Sequence, residues 1–288
     1  MTPGERAQIL VEALPYIRRF AGKTVVVKYG GNAIAGTSEH DALALFAEDV
    51  VLMLLVGLRP VVVHGGGPQI SELMSKLGKQ ATFVDGLRVT DAETVDIARM
   101  VLTGQVNPQI VAAINTHGNY AVGVSGVDAG LIRAAARAPE LGFVGDVTAV
   151  NPAVLNNLLD DEFIPVVATI GADDSGQAYN INADTVAGAI AEALGAEKLI
   201  YLTDIEGLRR DVSDPASLIR QTTATELAGL VADGTVSAGM IPKVASCIQA
   251  VSNGVTNAHI LDGRIQHVLL LEIFTDAGIG TMISGGGR

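Results

Sequence analysis

The sequence predicts an α/β protein built on buried parallel strands, and three features predict it. Short runs of Val, Ile and Leu recur along the chain, as in Thr24–Lys28 and Pro60–His64. Between them lie longer stretches with apolar residues at helical spacing. Glycine clusters stand at the ends of the runs, where an open α/β sheet turns from strand to helix. Near-continuous apolar runs, as opposed to alternating ones, belong to strands covered on both faces.

The elements follow in order. Thr2-Pro3-Gly4-Glu5 reads as a helix start, with a Thr cap, Pro in the first turn and Glu three residues after the Thr. Ile9, Leu10, Ala13, Leu14 and Ile17 continue with helical spacing, and Pro15 within them predicts a kink or break. This helix suits either simple packing or an arm that docks on another subunit. A strand at Thr24–Lys28 comes next, then a helix over 38–56, a strand at Pro60–His64 and a helix from Pro68 to Leu77. Later strands are expected at 164–170, 198–203 and 256–261, and helices at 184–195, 222–233 and 240–252. The polar turn Gly171-Ala-Asp-Asp-Ser-Gly176 is the candidate boundary. It divides the chain into an N-terminal helix (1–20), an N-terminal lobe (21–172) and a C-terminal lobe (173–288).

Composition narrows the function. Of 288 residues 49% are hydrophobic and only 4% aromatic, with no Trp, so the core must be aliphatic. The 19 basic residues stand against 31 acidic ones, a net charge of −12, which argues against nucleic acid because backbone phosphates need a basic face. A small anion is still admissible, since local lysines outweigh a distant field. The single cysteine, Cys247, excludes an intrachain disulfide and reads as a small core residue. Neither a signal peptide nor a membrane span is legible, and a cytoplasmic protein is expected.

The chemistry gathers at the glycine clusters. Lys28-Tyr29-Gly30-Gly31-Asn32 and His64-Gly65-Gly66-Gly67-Pro68 each follow a Val-rich strand. Consecutive glycines admit a ligand close to the backbone and aim several N–H groups at one anion. A helix after the second cluster adds its positive end. Neither cluster is a P-loop or a dinucleotide fingerprint. Lys28, at the end of a buried strand, needs an anionic partner that a phosphate would supply. Arg88 in Gly86-Leu87-Arg88-Val89-Thr90 suits bidentate capture of a carboxylate. Asn180, Asn182 and Asp184 recur on one side of an extended segment that opens a helix, although Asn182 alone would serve as a cap. A sharp turn follows Leu202-Thr203-Asp204-Ile205-Glu206-Gly207, and Ser237-Ala238-Gly239-Met240 leads into the helix that carries Lys243.

Taken in order, KYGGN at Lys28, HGGGPQI at His64, GLRVT at Gly86, NINADT at Asn180, LTDIEGL at Leu202 and GMIPKV at Gly239 resemble the amino acid kinase family. GLRVT, NINAD and GMIPK match its branch whose acceptor is N-acetyl-L-glutamate, as opposed to carbamate, aspartate, glutamate or UMP. The resemblance implies a two-lobed, three-layer αβα sandwich with a mainly parallel central sheet. It implies ATP with Mg²⁺ held by the nucleotide and not by a protein metal site. Lys28 and Lys243 would stabilise the transferring phosphoryl group, with Asp184 orienting both. Gly30, Gly31, Gly66 and Gly67 would donate backbone N–H groups, Arg88 would bind the acceptor's α-carboxylate, and Asn180 with Asn182 would contact the acceptor. Thr203, Asp204, Gly207, Gly239 and Met240 would line the nucleotide site.

The N-terminal helix and the tail from His259 resemble the arginine-inhibited branch, a hexamer built as a trimer of dimers. There Tyr16, His267, Glu272 and Gly280 would hold L-arginine. The rival readings are another acyl-phosphate-forming kinase of the same fold and an inactive arginine sensor.

Overall fold

Val25, Val26 and Val27 are wholly buried, although successive residues of a strand point to opposite faces. Both faces of this strand are therefore covered, as its unbroken apolar run requires. The computed structural model describes residues 2–30, 39–211, 213–236, 240–276 and 278–285, with backbone alone at Arg6 and 39–41. Gly31 and Gly239, both expected at the site, lie outside the described residues.

The strands are β1 (Thr24–Tyr29), β2 (Arg59–His64), β3 (Phe83–Val84), β4 (Leu87–Arg88), β5 (Ala121–Ser125), β6 (Ile132–Ala136), β7 (Val144–Val150), β8 (Ile164–Ala168), β9 (Ile170–Ala172), β10 (Ala178–Ile181), β11 (Lys198–Thr203), β12 (Gln221–Thr223), β13 (Asn257–Asp262) and β14 (Thr281–Ser284). The helices are α1 (Pro3–Phe20), α2 (Glu39–Leu55), α3 (Gly67–Lys76), α4 (Ala92–Val101), α5 (Asn107–Asn115), α6 (Ala153–Asp160), α7 (Ala183–Ala193), α8 (Ala224–Ala232), α9 (Ile241–Ser252) and α10 (Val268–Phe274). A π-helical turn, Leu102–Val106, joins α4 to α5.

Eight strands form the main sheet in the order β12-β14-β13-β11-β1-β2-β8-β5. Neighbours are parallel throughout except β13 and β14. Alternate residues feed separate cores. Val25, Val27 and Val62 pack with α2, α4, α5 and α10 on one face. Val26, Val61 and Val63 pack with α6, α7, α8 and α9 on the other. This is the expected sandwich of helices on both sides of a mainly parallel sheet. Four further short strands close on themselves in the order β10-β7-β6-β9, and the 171–176 turn joins β9 to β10.

The expected core strands and helices are present within a residue or two. Of the kink or break expected at Pro15, the break does not occur: α1 continues through the proline. The proline deprives the Val11 carbonyl of its helical donor, but Val11 is 60% exposed and water can replace it. The helix start is as read, with Thr2 and Glu5 forming a reciprocal capping box. Among the described residues no helix is long and apolar enough to cross a membrane.

Candidate functional site

β1 and β2 lie side by side with Lys28 level with Val63, so their glycine turns emerge at the same sheet edge. β11 flanks β1 on its other side, with Tyr201 level with Lys28. Three strand ends thus converge at the carboxyl edge, the usual ligand edge of such a sheet. β10 delivers Asn180, and Asn182 caps α7 by accepting from the N–H groups of Asp184 (2.8 Å) and Thr185 (3.3 Å). The cap places Asp184 in the first turn of a helix, where a carboxylate is favoured.

Asp184 is the hub. Its Oδ1 lies 3.1 Å from Lys28 Nζ and its Oδ2 2.8 Å from Lys243 Nζ. Burial alone would raise the Asp184 carboxyl, but the two ammonium groups outweigh it and hold it below the usual carboxylate range. Burial lowers the Lys243 ammonium, against the pull of Asp184. The Tyr201 ring backs Lys243 at 4.9 Å, and the Tyr201 and Ser246 hydroxyls both reach the Asp184 carbonyl, at 3.0 and 2.9 Å. Two cations stand around one anion, so the cluster carries an uncompensated positive charge.

A cavity of about 230 Å³ opens beside Lys28. Gly30, Gly65, Gly66 and Gly67 form its floor, and Arg88, Asn180, Asn182, Asp184 and Thr169 its walls. Gly66 permits the close approach: a Cβ there would meet Leu102 Cδ2 at 2.8 Å and Val106 Cγ2 at 3.2 Å. Arg88 is 7% exposed and donates to the Gly67 carbonyl (2.9 Å) and Ser71 Oγ (2.7 Å), with Phe83 under its guanidinium. Burial lowers its affinity for a proton, and among the described residues no carboxylate pairs with it. A buried guanidinium in that position calls for an anionic ligand.

A second cavity, about 340 Å³, lies past the end of β11. Its walls combine Leu208, Ile219, Leu227, Leu230 and Met240 with Asp204, Glu206, Arg209 and Arg264. That mixture of an apolar lining and a few polar groups suits a base and a ribose. Gly207 turns the wall at φ 147°, where a Cβ would meet Thr281 Oγ1 at 2.6 Å. Thr203 is buried at the end of β11 and bonds Asp204. Met240 and Lys243, three residues apart at the start of α9, join this cavity to the lysine pair.

The structure sets Lys28, Gly30, Gly66, Gly67, Arg88, Asn180, Asn182 and Asp184 around the smaller cavity, with Lys243 on Asp184, and places Asp204, Gly207 and Met240 at the larger one, whereas Thr203 lines neither. Sequence reasoning missed Thr169, which lies inside the expected 164–170 strand but just past the end of β8, and Arg264, two residues past β13; a polar residue near a carboxyl strand end was the available signal. The arginine candidates each have contacts of their own. Tyr16 bonds Asp276, His267 Nδ1 lies 2.6 Å from Asp49, and Glu272 lies 2.6 Å from Lys198 and 3.1 Å from His259. Gly280, at φ 72°, stands just before β14. α1 packs on α10, so Tyr16 and Glu272 occupy neighbouring helices.

An αβα sandwich with glycine turns, paired lysines and a helix N-terminus at one cavity, and a second cavity past the neighbouring strand end, is a nucleotide-dependent phosphoryl-transfer fold. The chain belongs to the amino acid kinase family, whose sequence profile matches residues 23–262, and it is a kinase. It is 56% identical to the acetylglutamate kinase of Nostoc sp. over 281 residues, 97% of this chain and 94% of that protein. It is 54% identical to the acetylglutamate kinase of Symbiobacterium thermophilum, covering 97% of each. Among solved structures it superposes on N-acetylglutamate synthase from Neisseria gonorrhoeae, complexed with coenzyme A and N-acetylglutamate, with a TM-score of 0.84 and 28% identity. That match covers 98% of this chain and 64% of the synthase. Carbamate kinase from Giardia lamblia shares the fold alone, with a TM-score of 0.69, 18% identity and coverage of 92% and 99%.

Proposed function

We propose that the enzyme transfers the γ-phosphoryl group of ATP to the γ-carboxylate of N-acetyl-L-glutamate, a step of arginine biosynthesis, in the cytoplasm. The observation that carries this reading is the Lys28–Asp184–Lys243 cluster between a glycine-floored cavity with a buried Arg88 and a second cavity suited to adenosine.

The acceptor enters the smaller cavity with its α-carboxylate on Arg88 and its acetamido group by Asn180 and Asn182. Its γ-carboxylate is ionised near neutral pH and needs no general base. A carboxylate oxygen attacks the γ-phosphorus, the bond to the β,γ-bridging oxygen breaks, and ADP leaves. Charge on the transferring oxygens is met by Lys28 from the acceptor side, Lys243 from the nucleotide side and the N–H groups of Gly30, Gly66 and Gly67. Both Asp184 oxygens face lysines, so the residues present fit a Mg²⁺ ion carried by the nucleotide. When bound, that ion would neutralise phosphate charge.

Feedback inhibition by L-arginine belongs to the same reading, with Tyr16, His267, Glu272 and Gly280 around the ligand. A guanidinium would there compete with Lys198 for the partly buried Glu272 carboxylate. The test is ADP release with N-acetylglutamate, glutamate, aspartate, carbamate and UMP as acceptors, with and without arginine. Turnover with N-acetylglutamate, suppressed by millimolar arginine, is expected. Preference for another acceptor removes the substrate assignment, and indifference to arginine removes the regulatory one.

A further inference from the structure

His64 ends β2 with no exposed surface, one residue before the glycine turn and behind the cavity floor. Its ring nitrogens have different partners. Nε2 lies 3.0 Å from Asn107 Nδ2, and Nδ1 lies 3.0 Å from the Gly65 carbonyl. The proton positions follow from the company Asn107 keeps. Its Nδ2 also lies 2.8 Å from the Val166 carbonyl, which can only accept, so the atom there is the amide donor. The second proton of that NH₂ group meets His64 Nε2, which must therefore carry a lone pair. The ring proton sits on Nδ1 and is donated to the Gly65 carbonyl. Burial agrees, holding His64 neutral with its pKa down at about 4.

A trans peptide points its C=O and N–H in opposite directions. With the Gly65 carbonyl bound to His64, the N–H of Gly66 points away from the ring, on the side where Gly66 floors the cavity. The brace comes from the π-helical turn at Leu102–Val106, and single π turns of this kind are frequent at functional sites. Leu102 and Val106 press on Gly66, and Asn107, the next residue, reaches His64.

We infer that His64 and Asn107 are positioning residues for phosphoryl transfer, fixing the Gly65–Gly66 peptide so that its N–H faces the transferring group. This rests on the reading of the glycine turn as a phosphate cradle. Two substitutions of similar size separate the role from mere packing. In His64→Asn the amide replaces Nδ1 and keeps the bond to the Gly65 carbonyl. In His64→Gln the amide replaces Nε2, keeping the link to Asn107 and losing the peptide.

Steady-state ADP release should show kcat within about threefold of wild type for H64N and at least about 30-fold lower for H64Q, with acceptor and ATP KM little changed, since one misplaced oxyanion donor costs about 10²–10³. Equal kcat losses that follow a common fall in Tm would overturn the role. Solid-state ¹⁵N spectra of histidine-labelled wild type, with the His64 signal assigned by its loss in either variant, test it without relying on the variants' activity. An Nε2–H tautomer would sink it. Lys28→Met in the same assay judges the cradle separately: full turnover there removes the phosphate site itself, whereas its loss beside an unchanged H64Q removes only the positioning role.

Discussion

Lys28 and Lys243 are costly to bury, and Asp184 is what makes both tolerable until a phosphate arrives. Removing either ammonium should then act on the transition state more than on binding. Lys28→Met and Lys243→Met are each expected to lower kcat by about 10²–10³ while KM for either substrate changes a few-fold at most. Initial-rate kinetics check this, and a variant with near-normal kcat would remove that lysine from the mechanism. These residues were legible because a lysine closing a Val-rich strand is physically conspicuous. The brace behind them was not. Asn107 looks like any polar residue before a proline, and its role depends on a π turn that no spacing of apolar residues announces.

Among the elements, α1 is the one whose surface is out of balance. Ala13, Tyr16, Ile17 and Phe20 are sheltered, with Phe20 only 2% exposed and lying over Lys198 Nζ. Ile9, Leu10, Val11 and Leu14 are 50–72% exposed. Burying such a side chain is worth about 1.5–3 kcal/mol, so a second helix laid on this stretch would be held firmly. If α1 is the arm of an arginine-inhibited hexamer, deleting residues 2–14 should leave dimers, with turnover kept and arginine sensitivity lost. Sedimentation of the truncated protein decides the point: a mass unchanged from the full chain would contradict the arm. The long buried strands and amphipathic helices were legible from their runs and periodicity. The small closed sheet was not, because strands such as Ile132–Ala136 are Ala-rich and only half covered, which leaves neither an apolar run nor a clean alternation.

Across the whole molecule, two buried groups set opposing pH dependences. His64 titrates at about 4 in the fold against 6.5 ordinarily, so the unfolded chain binds more protons between those values and stability falls as pH falls through that window. At about 1.4 kcal/mol per pH unit this amounts to about 3 kcal/mol. Asp49, raised by burial to about 6 against the counter-pull of His267, does the reverse: its contribution is present at low pH and is lost as pH rises toward 6 and beyond. Thermal melts from pH 7 to pH 5 should thus show His64→Asn losing less Tm than wild type and Asp49→Asn losing more. Parallel slopes for all three proteins would mean that neither group binds protons differently in the folded and unfolded chain over this range.

The central place of β1 also bears on how the molecule is made. It is the first strand of the sheet to be synthesised, yet it ends up between β2 and β11, with Val27 beside Ile200. One edge of its Val-Val-Val run stays unpaired until about two-thirds of the chain has left the ribosome. The nascent protein therefore carries an adhesive strand edge through most of its synthesis. The ladder that closes this edge is also the one that sets Lys28 level with Tyr201, so a chain with its lysine cluster in place has passed the stage at which that edge was open.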